Sequence, residues 1–227
     1  MSNLNNPQRR LAEGTSSWLL FEFHAKRGDL FSEKLLSVPV GQLLKEVFPG
    51  RIRAEVSHPF LKPVSSLGRP PQIDFVIQDN NDEFIAAIES KWIGNTTVSF
   101  KQILWDLIRL ELLFHNVGCT SFFLVSGFSK KMQVALGNTH FLDLKSANSN
   151  LITRRVRQVI SLDLTNLNLD TKNYINEKLC KYKGLTIPEA MYFDIPHYYP
   201  RDVINMTFQT FVWTVKSKKG TKRVDKL

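Results

Sequence analysis

The chain has 227 residues, 43% hydrophobic and 22% charged, which excludes a disordered class and allows one sizeable core. Lys and Arg number 30 against 21 Asp and Glu, and the formal net charge of +9 favours a polyanionic partner, most simply nucleic acid, although basic surfaces also serve membranes and general solubility. Cys119 and Cys180 have no metal-ligand spacing, the histidines are scattered, and no Gly-x-Ser-x-Gly or Walker-type loop is present, which argues against zinc, serine-nucleophile and ATP chemistry. No signal-peptide pattern opens the chain and no apolar run is long enough to cross a bilayer. A soluble, cytoplasmic protein with free thiols and no membrane partner is expected.

In chain order, residues 1–14 are polar and Asn-rich and are expected as a flexible N-terminal tail. A helix is predicted from Thr15, with Trp18, Leu19, Phe21 and Phe23 following, and Gly28 is set to interrupt it. Asp29 to Leu36 is helical in pattern. Pro39 and Gly41 then break the chain before a turn or two through Gln42 to Val47. Arg51 to Ser57 alternates as a strand, with Ile52, Ala54 and Val56 on one face and Glu55 on the other. From His58 to Pro71 five Pro and Gly residues preclude regular structure, and this loop is either a channel lining that offers Lys62 and Arg69 to phosphates or a plain connection.

From Pro70 to Trp92 the chain reads as a hairpin. Ile73, Phe75 and Ile77 alternate in the first arm, Asn80, Asn81 and Asp82 make the turn, and Phe84 to Ile88 is an apolar run in the second. Glu89 and Lys91 share a face, and the hairpin can bring Asp74 beside them. Two acids and an amine on a half-buried face need a partner, and a divalent cation held by the carboxylates is the natural one. Ser99 then caps a long helix through about His115, with Lys101 and Gln102 in its first turn, Gly118 ends it, and Thr120 to Ser126 reads as a buried strand.

Beyond this core, Ser129 to Gln133 suggests a short helix, and Leu151 to Ile160 carries the basic cluster Arg154, Arg155 and Arg157, suited either to phosphate or to a solvated face. Leu162 to Leu169 alternates as a strand and Asp170 to Lys183 looks helical. Pro188 to Pro200 is an aromatic loop for stacking or packing, Thr207 to Val215 is a strand, and 216–227 reads as a flexible basic arm.

Asp74, fourteen intervening residues, then Glu89-Ser90-Lys91 resembles the Asp…Glu-x-Lys signature of the PD-(D/E)XK nuclease superfamily. Ile73 stands directly before Asp74, so the "PD" itself is absent, although Pro70 and Pro71 lie nearby. The resemblance covers about Thr15 to Gly127. It implies an α/β fold with a restriction-endonuclease-like core: a central mixed β-sheet flanked by helices over 15–130, with a C-terminal α+β extension (131–215) packed on the core. It further implies a metal-dependent endonuclease that hydrolyses DNA phosphodiester bonds. Asp74, Glu89, the Ser90 carbonyl and an acid from a preceding helix would hold one or two Mg2+ ions, with Mn2+ as substitute. Glu33 is the first candidate for that acid and Glu22 the second, the alternative for both being an ordinary solvated glutamate; Glu55, on the strand Arg51 to Ser57, is a third acidic candidate or an exposed partner for a neighbouring Arg. Lys91 would orient or deprotonate a water or stabilise the phosphate, and Gln102 or Lys101 would be accessory. A homodimer is expected, because cutting two strands needs two sites. Two readings compete: a catalytically silent nuclease-fold DNA-binding subunit of a larger restriction, repair or recombination complex, and an unrelated α/β protein in which Lys91 is salt-bridged to Glu89 or Asp74.

Overall fold

A computed structural model describes residues 6–62, 70–94, 99–132, 160–194, 197–200 and 208–227. Helix α1 (Pro7–His24) starts inside the segment expected to be a loose tail. The Asn6 side chain accepts from the Arg9 N–H at 3.2 Å and Pro7 occupies the first turn, where its missing N–H costs nothing. Leu11, Ala12, Thr15 and Leu19 form its buried stripe. Helix α2 (Glu33–Val47), capped by Ser32, runs straight through Pro39 and Gly41, where a break was expected. Burying Leu36, Val40 and Leu44 contributes roughly 1.5–3 kcal/mol each, and the three together outweigh the roughly 3 kcal/mol an interior proline costs. Glu22 and Glu33 therefore sit on different helices.

Strands β1 (Arg51–Ser57), β2 (Gln72–Gln78) and β3 (Phe84–Ile93) form an antiparallel meander. Helix α3 (Phe100–Val117) follows, and β4 (Thr120–Phe128) returns parallel to β3. Gly118, at φ 69°, ends α3 in the left-handed conformation that glycine adopts without strain. The remaining elements are β5 (Ile160–Asp163), α4 (Leu169–Leu179), β6 (Ile187–Pro188), β7 (Ala190–Phe193), β8 (His197–Tyr199), β9 (Phe208–Lys216) and β10 (Arg223–Val224). The sheet order is β1-β2-β3-β4-β9-β7-β5, with β8 also on β9. The protein is thus α/β with a central mixed sheet, and its C-terminal strands continue that sheet. Helices α1 and α2 cover one face, packing Leu11, Leu36 and Leu44 with Phe75, Ile77, Ile88 and Phe122. Helix α3 covers the other, packing Ile103, Leu107 and Leu110 with Val76, Ala87, Phe123 and Val125.

The expected strand over Leu162 to Leu169 is shorter, because the Asp163 side chain caps a single 3-10 turn over Leu164–Asn166. The expected aromatic loop contains β7 and β8, and its rings pack: Phe193 is buried and Tyr198 stacks on Phe211 at 5.3 Å between centroids. The expected basic arm is tied down. Arg223 and Val224 pair with β6, Glu189 N–H donates to Lys222 O at 2.8 Å, and Leu227 N–H donates to Asn176 Oδ1 at 2.9 Å. No helix among the described residues is long and apolar enough to cross a membrane. Both cysteines are free, with Cys119 buried and Cys180 exposed.

Candidate functional site

The regular pairing of β2 with β3 ends at Phe75 and Ile88. One residue further on, Asp74 Oδ2 accepts from the Ser90 N–H at 2.7 Å and from the Ser90 hydroxyl at 2.8 Å, so a carboxylate replaces the backbone carbonyl that a continuing ladder would supply. Both bonds fall on one oxygen and leave the other outside the pair. Alternation along β3 puts Glu89 and Lys91 with Ala87 on the face covered by α3.

Lys91 Nζ lies 3.1 Å from Glu33 Oε1, at the first residue of α2, and 3.3 Å from Asp106 Oδ2, on α3. Arg109, one turn further along α3, donates through Nη1 to Asp106 Oδ1 at 3.0 Å and through Nη2 to Gln72 O in β2. The same Nη2 lies 2.6 Å from Glu89 Oε1. That approach is off the N–H direction, so Glu89 Oε1 is buried without a hydrogen bond, as is Arg109 Nε. Four carboxylates (Glu33, Asp74, Glu89, Asp106) face two cations (Lys91, Arg109), a formal excess of two negative charges.

Burial is the main force on these groups. It pushes the Glu89 carboxyl well above the usual range; the Arg109 charge opposes this, while Asp106 and Asp74 add to it. Burial raises Asp106 too, against the pull of Lys91 and Arg109. For Lys91 burial acts downward, but the attraction of Asp106 and Glu33 outweighs it and the amine is raised above its ordinary value. Lys91 therefore holds its proton throughout the neutral range and works as a fixed positive charge. Burial, then the charge of Asp106, also raises the Tyr174 phenol, so α4 lies within electrostatic reach of the cluster.

Of the residues picked from sequence, Asp74, Ser90, Glu89, Lys91 and Glu33 come together, although Lys91 pairs with Glu33 and Asp106 rather than with Glu89 or Asp74. Glu22 is instead held by Arg27 through two hydrogen bonds, one of them 2.9 Å. Glu55 lies on the exposed strand β1. Gln102 is committed to capping α3, its side chain accepting from Ser99 N–H at 3.3 Å, and Lys101 pairs with Asp170. Lys62 is exposed, while Arg69, Arg154, Arg155 and Arg157 lie outside the described residues. The polar contribution of α3 comes from Asp106 and Arg109, neither of which is among the residues expected at the site. Their signal was two charges three residues apart inside the run Ile103 to Leu113, which is buried throughout.

No protein-family model, curated protein or solved structure matches the chain. The donor chemistry fits a hard divalent cation: the ligands are oxygens, negative charge is in excess, and Glu89 Oε1 lacks a hydrogen bond. Among the described residues no group of three or more His, Cys, Asp and Glu stands at metal-holding geometry, and the cation against Glu89 is Arg109.

His58 anchors the far side of Arg109. Its Nδ1 accepts from Phe60 N–H at 3.3 Å, so the proton resides on Nε2, which donates to Arg109 O at 3.0 Å. Burial is the main cause that lowers its pKa to about 4. The unfolded chain binds the proton near pH 6.5 and the folded one only near pH 4, so this group's contribution is full above 6.5 and is lost as pH falls to 4. The loss is about 3 kcal/mol. His58→Gln keeps a donor to Arg109 O without titrating there, so between pH 7 and pH 4 the wild type should lose more stability than the variant by this amount. Parallel curves in urea unfolding at pH 4 to 7 would sink the assignment.

Proposed function

We propose that the protein is a metal-dependent endonuclease that hydrolyses DNA phosphodiester bonds at the Asp74, Glu89 and Lys91 cluster, on a restriction-endonuclease-like core. The observation that carries this reading is the break in the β2–β3 ladder, where Ser90 orients Asp74 beside Glu89 and a protonated Lys91. The helix-strand-strand-strand-helix-strand order from α2 to β4 and the net charge of +9 support it. Asp74, Glu89, the Ser90 carbonyl and Glu33 are the groups that would hold Mg2+. Bound there, the ion supplies Lewis-acid stabilisation of phosphate charge and a water of lowered pKa. Ser90 fixes one Asp74 oxygen, which sets the direction of the other. Asp106 and Glu33 hold Lys91 in place as a cation, so its part is to offset charge on the phosphate rather than to remove a proton. Glu33, with its side chain 48% exposed, sits at the rim.

A second reading, a catalytically silent DNA-binding subunit of a larger restriction, repair or recombination complex, is favoured by one observation: Arg109 already neutralises Glu89. Incubating supercoiled and linear DNA with the protein in Mg2+, Mn2+ or EDTA separates the two. Cutting that EDTA abolishes is the expected result. Salt-sensitive binding with all DNA intact in both metals favours the silent subunit.

A further inference from the structure

Arg109 makes contacts of two kinds. The bonds to Asp106 Oδ1 and Gln72 O are directional, whereas Glu89 Oε1, 2.6 Å from Nη2, accepts no hydrogen bond from it. Glu89 and Arg109 are only 4% and 9% exposed, so the contact is unscreened charge neutralisation. On the reading that Asp74 and Glu89 hold a divalent cation, we propose that Arg109 is an internal counter-cation that neutralises Glu89 in the metal-free protein and competes with the metal ion for it, thereby setting metal affinity. An ion that takes Glu89 Oε1 leaves Arg109 its bonds to Asp106 and Gln72 O. What it meets instead is repulsion from a guanidinium tethered in place by those bonds. Arg109 is thus a positioning residue whose charge, more than its shape, acts on the metal.

The test is calorimetric titration of the full chain with MnCl2, with bound Mn2+ counted by electron paramagnetic resonance and folding checked by circular dichroism. Arg109→Gln, which removes the charge and keeps a polar head, should bind Mn2+ about tenfold tighter than wild type, and Arg109→Lys, which keeps the charge, should stay within about threefold. Affinity unchanged or weaker in Arg109→Gln overturns the proposal. So does tightening in Arg109→Lys as large as in Arg109→Gln, since loss of the fork geometry alone would then suffice. Should Arg109→Gln not fold, Arg109→Met takes its place, and Arg109→Lys decides alone if neither folds: near-wild-type affinity supports the proposal and tenfold tightening overturns it. A wild type that takes up no Mn2+ fails earlier, at the metal reading itself, and is distinguishable from all of these.

Discussion

Arg223→Met should lower the unfolding free energy by about 3–5 kcal/mol, although the residue lies only four positions before Leu227. Glu111 is fully buried in the middle of α3, and its carboxylate accepts from Arg223 Nη1 at 2.8 Å and Nη2 at 3.1 Å. Nη2 also donates to Thr186 O at 2.9 Å, which ties β10 to the chain just before β6. Removing the guanidinium leaves a buried carboxylate with no cation among the described residues, which costs far more than losing an exposed pair. Urea unfolding should show the midpoint falling by about 1–2 M. The double variant Glu111→Leu, Arg223→Met removes the orphaned charge as well and should recover most of the loss. A fall of less than about 1 kcal/mol in the single variant would show that the C-terminal residues carry no structural weight.

That clamp also marks where the sequence was hard to read. The last twelve residues look like a solvated basic arm, because nothing in Lys216 to Arg223 points to a carboxylate 112 positions earlier. The pairing of β4 with β9 has the same character: both strands are legible by composition, but their adjacency is fixed by packing between distant segments. The hairpin was legible because period-two alternation and a polar turn are local signals, and its arms bring Asp74 beside Ser90 and put Glu89 and Lys91 on one face. Asp106 and Arg109 belong to the cluster only once α3 lies across β3, which no local pattern states. The continuity of α2 through Pro39 is a tertiary effect of the same kind, burial outweighing a local penalty. The start of α1 differs: Asn6-Pro7 is a local capping signal, hidden by the polar composition around it.

On the proposed nuclease reading, Lys91→Ala should reduce metal-dependent cleavage by about 10²–10³-fold, while Lys91→Arg keeps a measurable fraction of the activity. The amine sits between Asp106 and Glu33, is raised above its ordinary pKa, and stays charged across the neutral range, so its loss removes a fixed positive charge from a partly desolvated site. The fold should survive, because Asp106 keeps the Arg109 hydrogen bond at 3.0 Å and Glu33 is about half exposed. Asp74→Asn should lose at least as much activity for a different reason. An amide oxygen can still accept from the Ser90 N–H, so the strand end is preserved, but the charge that attracts a divalent ion is gone. Mn2+ titration separates the two: Lys91→Ala should bind at least as tightly as wild type, and Asp74→Asn should bind far more weakly. If Lys91→Arg were as inactive as Lys91→Ala, a fixed charge would not be enough and the ammonium's own proton chemistry would be required. If Asp74→Asn cut DNA at the wild-type rate, hydrolysis would have to occur elsewhere on the molecule, and the cluster would be a buried ion network joining β3 to α2 and α3.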